Sequence, residues 1–224
     1  MSKQIKKMEE NFVSILTSKN DQIETLQTEV NDLKIKMCRM EDNLDGADAY
    51  QRKDTIIFSG NSIPVVTVGE NCPNLVKDLL RDKLRIELDV RSVSTAHRLG
   101  KKLPTQAPDK RPIIAKLCQR DTKNLLLSAS RNARLDDLYV NESLTPARRT
   151  ILYALRRIKR AHPTLVTGCS SFDGKIYAYT KPSSNAPPEA RNVRHLINTH
   201  ERVVFFCRDF IKKPLEDFLE SWSH

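Results

Sequence analysis

Glycine is scarce, with only 6 in 224 residues, and that scarcity removes most phosphate-cradling chemistry at once. The chain holds no G-x-x-x-x-G-K-S/T or G-x-G-x-x-G loop, no H-E-x-x-H and no G-x-S-x-G. Nucleotide hydrolysis, dinucleotide binding, zinc proteolysis and serine-hydrolase chemistry therefore lose their usual signatures. An enzyme would have to assemble its site from scattered carboxylates, as a metal nuclease does; the expectation is a non-enzymatic protein with no cofactor. No segment is long and apolar enough to span a bilayer, and the first residues lack the basic, apolar, small-residue order of a secretory signal, so cytosol or nucleus is expected and no membrane partner. Cysteine is sparse and odd in number. Cys38, Cys72, Cys118, Cys169 and Cys207 are widely scattered, which suits reduced, mostly buried thiols better than a disulfide framework.

What is present is a seam, followed by a reversal of charge. With a positions at 9, 16, 23, 30, 37 and 44 and d positions at 5, 12, 19, 26, 33 and 40, the heptads carry Ile5, Phe12, Leu16, Ile23, Leu26, Val30, Leu33, Met37, Met40 and Leu44, and only Glu9 and Lys19 break the stripe. Such spacing buries a narrow apolar face against a partner helix, which predicts self-association. Residues 1–50 hold 7 Lys and Arg against 10 Asp and Glu, so the whole of the +10 net charge, and more, lies beyond them. A basic globular part with a sequence pI near 9.4 most often has a polyanion for a partner.

Beyond the coil, a short basic bridge containing Arg52 and Lys53 leads to Thr55–Ser59, an apolar run with the look of a buried strand. The spacing of Leu75, Val76, Leu79, Leu80, Leu84 and Leu88 predicts a helix over 74–88. A strand at 93–98, a basic loop at 100–111, a strand at 112–117, a helix at 120–131 and a closing strand at 138–140 follow. This β-α-β-β-α-β order is the split βαβ, ferredoxin-like plan that RNA-recognition-motif domains share. The expected fold class is α+β, with a coiled-coil helix at 1–50, an RNA-recognition-motif-like domain at 54–140 and a small basic α+β domain at 141–224. Bases stack on aromatic rings of the central strands in such domains. Here the third strand offers Ile113, Ile114, Ala115 and Lys116, and the first only Phe58, so this sheet is a poor stacking surface.

In the last third, Thr145 and Pro146 open a helix predicted over 146–162. Arg148, Arg149, Arg156, Lys159 and Arg160 fall within one third of its circumference, opposite Ile151, Ala154, Leu155 and Ile158. A hairpin of 166–170 and 175–180 turns at Asp173-Gly174. Next come a polar loop over 181–188, a short helix over 191–200, a strand over 203–207 and a terminal helix over 214–222 with Leu215, Phe218, Leu219 and Trp222 on its apolar face.

The basic face of the 146–162 helix is the leading candidate site, because arginine forks pair bidentately with phosphates; the competing reading is a solvated face. A second cluster is Arg98, Lys101, Lys102, Lys110, Arg111 and Lys116. Tyr177 and Tyr179 alternate on one strand beside Lys175 and so share a face suited to stacking a base next to a phosphate contact; otherwise both rings pack as core against the basic helix. His195, His200 and Cys207 fit no closed four-ligand zinc pattern.

The order of several short motifs carries a resemblance. Met40-Glu41-Asp42-Asn43-Leu44 runs to Arg52-Lys53-Asp54-Thr55-Ile56-Ile57-Phe58, then come Ala96-His97-Arg98-Leu99-Gly100, Arg111-Pro112-Ile113-Ile114-Ala115-Lys116, Asn141-Glu142-Ser143-Leu144-Thr145-Pro146-Ala147-Arg148-Arg149 and Arg208-Asp209-Phe210-Ile211-Lys212-Lys213-Pro214-Leu215. Over nearly its whole length the chain resembles the first-open-reading-frame proteins of LINE-type retrotransposons. That resemblance implies a homotrimeric nucleic-acid chaperone, not an enzyme, that coats its own transcript in a cytoplasmic ribonucleoprotein. It also implies RNA contacts at Arg98, Arg111, Lys116, Arg131, Arg148 and Arg149, with Tyr177 or Tyr179 a looser match. The heptads speak differently about stoichiometry: Ile23 and Val30 at a with Leu26 and Leu33 at d are a dimer-favouring pattern. Single-stranded RNA, and single-stranded DNA similarly, is the expected partner, the alternative being a transposon-derived scaffold or adaptor that binds proteins.

Overall fold

The computed structural model describes residues 2–101, 108–182 and 191–212. Lys102 and the expected terminal helix at 214–222 lie outside the described residues, as does most of the 181–188 loop. The chain divides into a first unit, Met1–Gly46, and a second, Ala47–His224. The first unit is helical over its described residues, 2–46. It belongs to α1, Ser2–Gln51, whose ten apolar seam residues are all exposed, Ile5 at 55% and Leu44 at 69% among them. Along the single chain that stripe is left in water.

The second unit is mixed α+β, as expected. Its first half is β1 (Thr55–Ser59), α2 (Cys72–Leu84), β2 (Val93–Arg98), β3 (Ile113–Leu117), α3 (Arg120–Ala133) and β4 (Tyr139–Glu142). The strands form one antiparallel sheet in the order β2-β3-β1-β4. Alternation decides which side is dry: Ile56 and Phe58 of β1, Ile113, Ala115 and Leu117 of β3 and Val140 of β4 join Val76, Leu79 and Leu80 of α2 and Leu126 and Leu127 of α3 in one core. α2 starts where the Asn71 side chain accepts from the Asn74 amide (3.1 Å) and ends at Arg85 in the left-handed region, four residues short of the predicted helix. Gly60, at φ +117°, is a turn that only glycine fills, since a Cβ there would collide with the Asp137 carbonyl.

The second half holds α4 (Pro146–Ala161), β5 (Val166–Phe172), β6 (Lys175–Thr180), β7 (Val193–Leu196) and α5 (His200–Phe206), with a π turn at Cys207–Ile211. Its three strands run antiparallel in the order β5-β6-β7. A separate core joins Ile151, Leu152, Leu155 and Ile158 of α4 to Val166, Ile176 and Ala178. Thr145 caps α4, accepting from the Arg148 amide at 3.2 Å, with Pro146 in the first turn. The β5–β6 turn places Asp173 at φ 50° and Gly174 at φ 74°, the two positive values of a type I′ hairpin.

Two predicted elements near the end are reversed. The 191–200 segment, expected as a helix, supplies β7, whose backbone pairs with the otherwise bare edge of β6 from Tyr177↔Leu196 to Thr180↔Val193. The 203–207 segment, expected as a strand from its Val, Phe and Cys content, is helical in α5 and the following turn. There Thr199 caps the helix, and Val203, Phe206, Cys207 and Ile211 are buried at helical spacing. Tertiary demand for a third strand, and a capped apolar stripe, outweigh β propensity.

One polar cluster joins the two halves. Lys123 on α3 is 1% exposed, and its Nζ donates to Glu142 Oε1 of β4 (3.0 Å), Asp173 Oδ1 of the β5–β6 turn (3.0 Å) and the Lys53 carbonyl (2.7 Å). An ammonium has three protons, and all three are used. Arg131 Nη2 donates to the Ser171 carbonyl nearby. Replacing Lys123 with Ala strands two carboxylates around a cavity. Urea unfolding is expected to show a loss of about 3–5 kcal/mol, most of it recovered when Glu142 is changed to Met in the same chain as Lys123→Met.

Candidate nucleic-acid interface

The sequence-derived cations separate into those the fold consumes and those it leaves to solvent. Arg98 belongs to the first group. Although it lies on β2, its register partner is Ile113, on the helix-covered side of the sheet. There its side chain is 6% exposed and grips Glu70 through two parallel hydrogen bonds, Nε to Oε1 and Nη2 to Oε2, both 2.8 Å, while Nη1 donates to the Arg111 carbonyl. Arg98, expected at a nucleic-acid contact, is here buried on a dedicated carboxylate and braces the loop before α2. The guanidinium holds the Glu70 carboxyl below its ordinary 4.5, and the pairing raises Arg98 in turn.

Arg111 is partly consumed too, with Nε on Asp109 Oδ1 (3.0 Å) and Nη1 on the Gly100 carbonyl (2.8 Å). Lys110 donates to the Asn61 carbonyl. Arg52 bonds Asp48 Oδ1 at 2.7 Å and reaches Ser143 Oγ at 3.5 Å, which ties the last turn of α1 to the exit of β4. Lys53 sits 5.6 Å from the Tyr50 ring centroid. Arg148 donates to the Gly174 carbonyl at 3.0 Å. These residues shape the surface before they shape any ligand.

Exposed cations remain at several places. Lys101 is exposed at the start of the basic loop. On the open face of the first sheet, Lys116 stands beside Thr95, His97, Ile57, Ile114, Asn141 and Tyr139, by strand register. Phe58 is fully buried on the other side, which leaves Tyr139 at the margin as that face's ring. On α4, Arg149, Arg156, Lys159 and Arg160 are exposed, but Leu152, in the middle of the same sector, is buried at 7% exposure. The basic face is therefore a ridge beside a seated leucine. Burial pushes the pKa of the Cys169 thiol of β5 upward, while the charges of Arg156 and Lys159 pull the other way.

The tyrosines are not core. Ile176 and Ala178 point to α4, and the intervening Tyr177 and Tyr179 lie half-buried on the opposite face. Around them the register sets Ser170 and Gly168 of β5 and Leu196 and Arg194 of β7, with exposed Phe172 opposite Lys175 at the hairpin end. Arg194 stacks 4.7 Å from the Tyr177 ring centroid, and Tyr179 Oη and Ser170 Oγ are 3.1 Å apart. Phe172 and Arg194 complete a ring-and-cation platform that sequence reading missed. Strand alternation reveals Phe172 only once β5 is extended to it, and Arg194 had been assigned to a helix. The α4 ridge and this platform occupy opposite sides of the second sheet.

No metal site emerges: among the described residues no group of three His, Cys, Asp or Glu is gathered as ligands. His195 instead packs 4.4 Å from the Phe210 ring centroid and 5.4 Å from that of Phe206, with Nε2 2.9 Å from Thr180 Oγ1, and burial lowers its pKa. No described helix is long and apolar enough to cross a membrane. The chain matches no protein-family model, and no curated protein is a significant match to it.

The Glu70–Arg98 pair gives a pH signature. Because the folded carboxyl lies below its ordinary value, its contribution is complete above about 4.5 and is lost as pH falls through the depressed folded value. Denaturation midpoints followed down through that window should fall, and Glu70→Gln should flatten the slope. Arg98→Ala should cost about 3–5 kcal/mol at neutral pH, a loss that adding nucleic acid does not selectively rescue.

Proposed function

We propose that this protein is an oligomeric, non-enzymatic binder of single-stranded RNA, and of single-stranded DNA similarly, that acts as a nucleic-acid chaperone in a LINE-type retrotransposon ribonucleoprotein. The observation that carries the reading is the platform of Tyr177, Tyr179 and Phe172 with Arg194 and Lys175 on one open sheet face. Rings accept bases of any sequence, and cations beside them take the phosphates. The α4 ridge adds phosphate contacts through its exposed Arg149, Arg156, Lys159 and Arg160. Screening of phosphate repulsion without base readout is what lets strands meet and exchange.

We read the first half as the ferredoxin-like plan of RNA-recognition motifs; its element order and the strand order β2-β3-β1-β4 support this. Its open face holds no central aromatic pair, so the reading gives it a backbone-binding role through Lys116 and Lys101. The exposed seam of α1 supports self-association, which raises the effective concentration of several weak grips.

Fluorescence anisotropy with labelled single-stranded RNA across a salt series tests the proposal. Affinity should fall steeply with salt, and Arg149→Ala with Arg156→Ala should reduce the logarithmic slope by about 1.4, at about 0.7 per lost phosphate contact. Tyr177→Ala should weaken binding by about 1–3 kcal/mol with little change in slope. Salt-independent binding, or purified protein free of nucleic acid with no affinity for it, would favour a protein-binding adaptor instead.

A further inference from the structure

The two halves of the α1 seam carry opposite orientation codes. In a parallel coil each g residue meets the e residue five positions on in its neighbour. Toward the C-terminal end these pairs are Glu29 with Lys34 and Lys36 with Glu41, attractive in both cases. Toward the N-terminal end they are Met8 with Val13, Ile15 with Asn20 and Gln22 with Gln27, which contain no charge pair. Two charged residues there sit in the seam itself, Glu9 at a and Lys19 at d, while Lys6, at e, has no charged partner in either arrangement. Parallel, in-register copies would place Glu9 against Glu9 and Lys19 against Lys19. Both layers would repel.

Antiparallel helices pair a layers with d layers, and successive registers differ by a whole heptad. A single one sets Glu9 opposite Lys19. The same register brings Ile5 to Ile23 and Phe12 to Leu16, each twice by symmetry, with the dyad level with Ser14. It also gathers the apolar flanking residues: Val13 meets its own copy, as does Ile15. Both are exposed in the single chain, at 60% and 58%, and are otherwise surplus to the a and d stripe. Lys19 Nζ meanwhile donates to Gln22 Oε1 within its own helix.

We propose that residues 5–23 form an antiparallel contact with a second copy that belongs to a different parallel assembly, joining two assemblies tail to tail. The partner surface is the same segment of this chain, matched by its own charges. Residues 26–44 then hold the copies of one assembly in parallel, and segment 5–23 links assemblies. This rests on the reading of α1 as a self-association helix and adds a second, weaker level to it.

Sedimentation velocity on the nuclease-treated full chain at low salt, over a concentration series, tests it. Two species are expected, the larger twice the mass of the smaller and favoured by concentration. Glu9→Lys should abolish the larger species and keep the smaller, and Glu9→Lys with Lys19→Glu should restore it. A single species for the unsubstituted chain, or a double reversal that fails to restore the larger species, would overturn the proposal. A monomer at every concentration would overturn both this proposal and the self-association reading, whereas loss of the larger species alone in a chain whose double reversal is silent overturns only the antiparallel link.

Discussion

The buried Lys123 ammonium is the interaction on which the second unit most depends. It draws together α3, β4, the turn between β5 and β6 and the segment leaving α1, so one charge fixes the relation of two hydrophobic cores that share no buried member. Apolar contacts tolerate sliding; an ammonium with three directed protons does not. The arrangement is also costly. Glu142 keeps Oε2 buried with no hydrogen-bond partner among the described residues, and such clusters specify geometry more surely than they add stability.

That constraint explains how the positive charge is divided. Arg52, Arg98, Arg111 and Arg148 direct guanidinium protons to carboxylates or carbonyls of their own chain, bracing loops in a protein poor in turn-forming glycine. Among the cations left in solvent are those on α4, at β7 and at the open face of the first sheet. A surface built this way is rigid underneath and adaptable above. In the proposed role such a combination would suit a flexible polyanion better than a single docked protein, because long side chains can follow a phosphate path without moving the backbone.

Periodicity made most of the fold legible. The apolar spacing of α3 and α4, the Thr145-Pro146 start and the Asp173-Gly174 turn appear where the residues place them, and α2 does so up to Leu84. Errors concentrated at 191–207, where segments are short and propensity opposes context. Val203 to Cys207 look like a strand by composition, while the stripe of Val203, Phe206, Cys207 and Ile211 makes them helical. The site was legible only in part. Tyr177 and Tyr179 sharing a face followed from alternation, but which face was dry depended on where α4 packs. Arg98 illustrates the deeper limit: nothing local to it reveals that Glu70, far back in the chain, comes to meet it. Lys123 is subject to the same limit, since a lysine two residues ahead of three leucines on a helix reads as solvent-facing until its carboxylates are located.

Asp173 has two duties, and together they close its position to substitution. Its backbone lies at φ 50° in the hairpin turn, a conformation reached cheaply by glycine, asparagine and aspartate. Its carboxylate also answers Lys123. Glycine would keep the turn and lose the charge, glutamate would keep the charge and strain the turn, and asparagine would keep the turn with a neutral acceptor in place of the anion. In a chain whose motifs are short and soft, this position and its lysine form a coupled pair across fifty residues. Distant relatives should betray themselves by retaining both or by having lost both together.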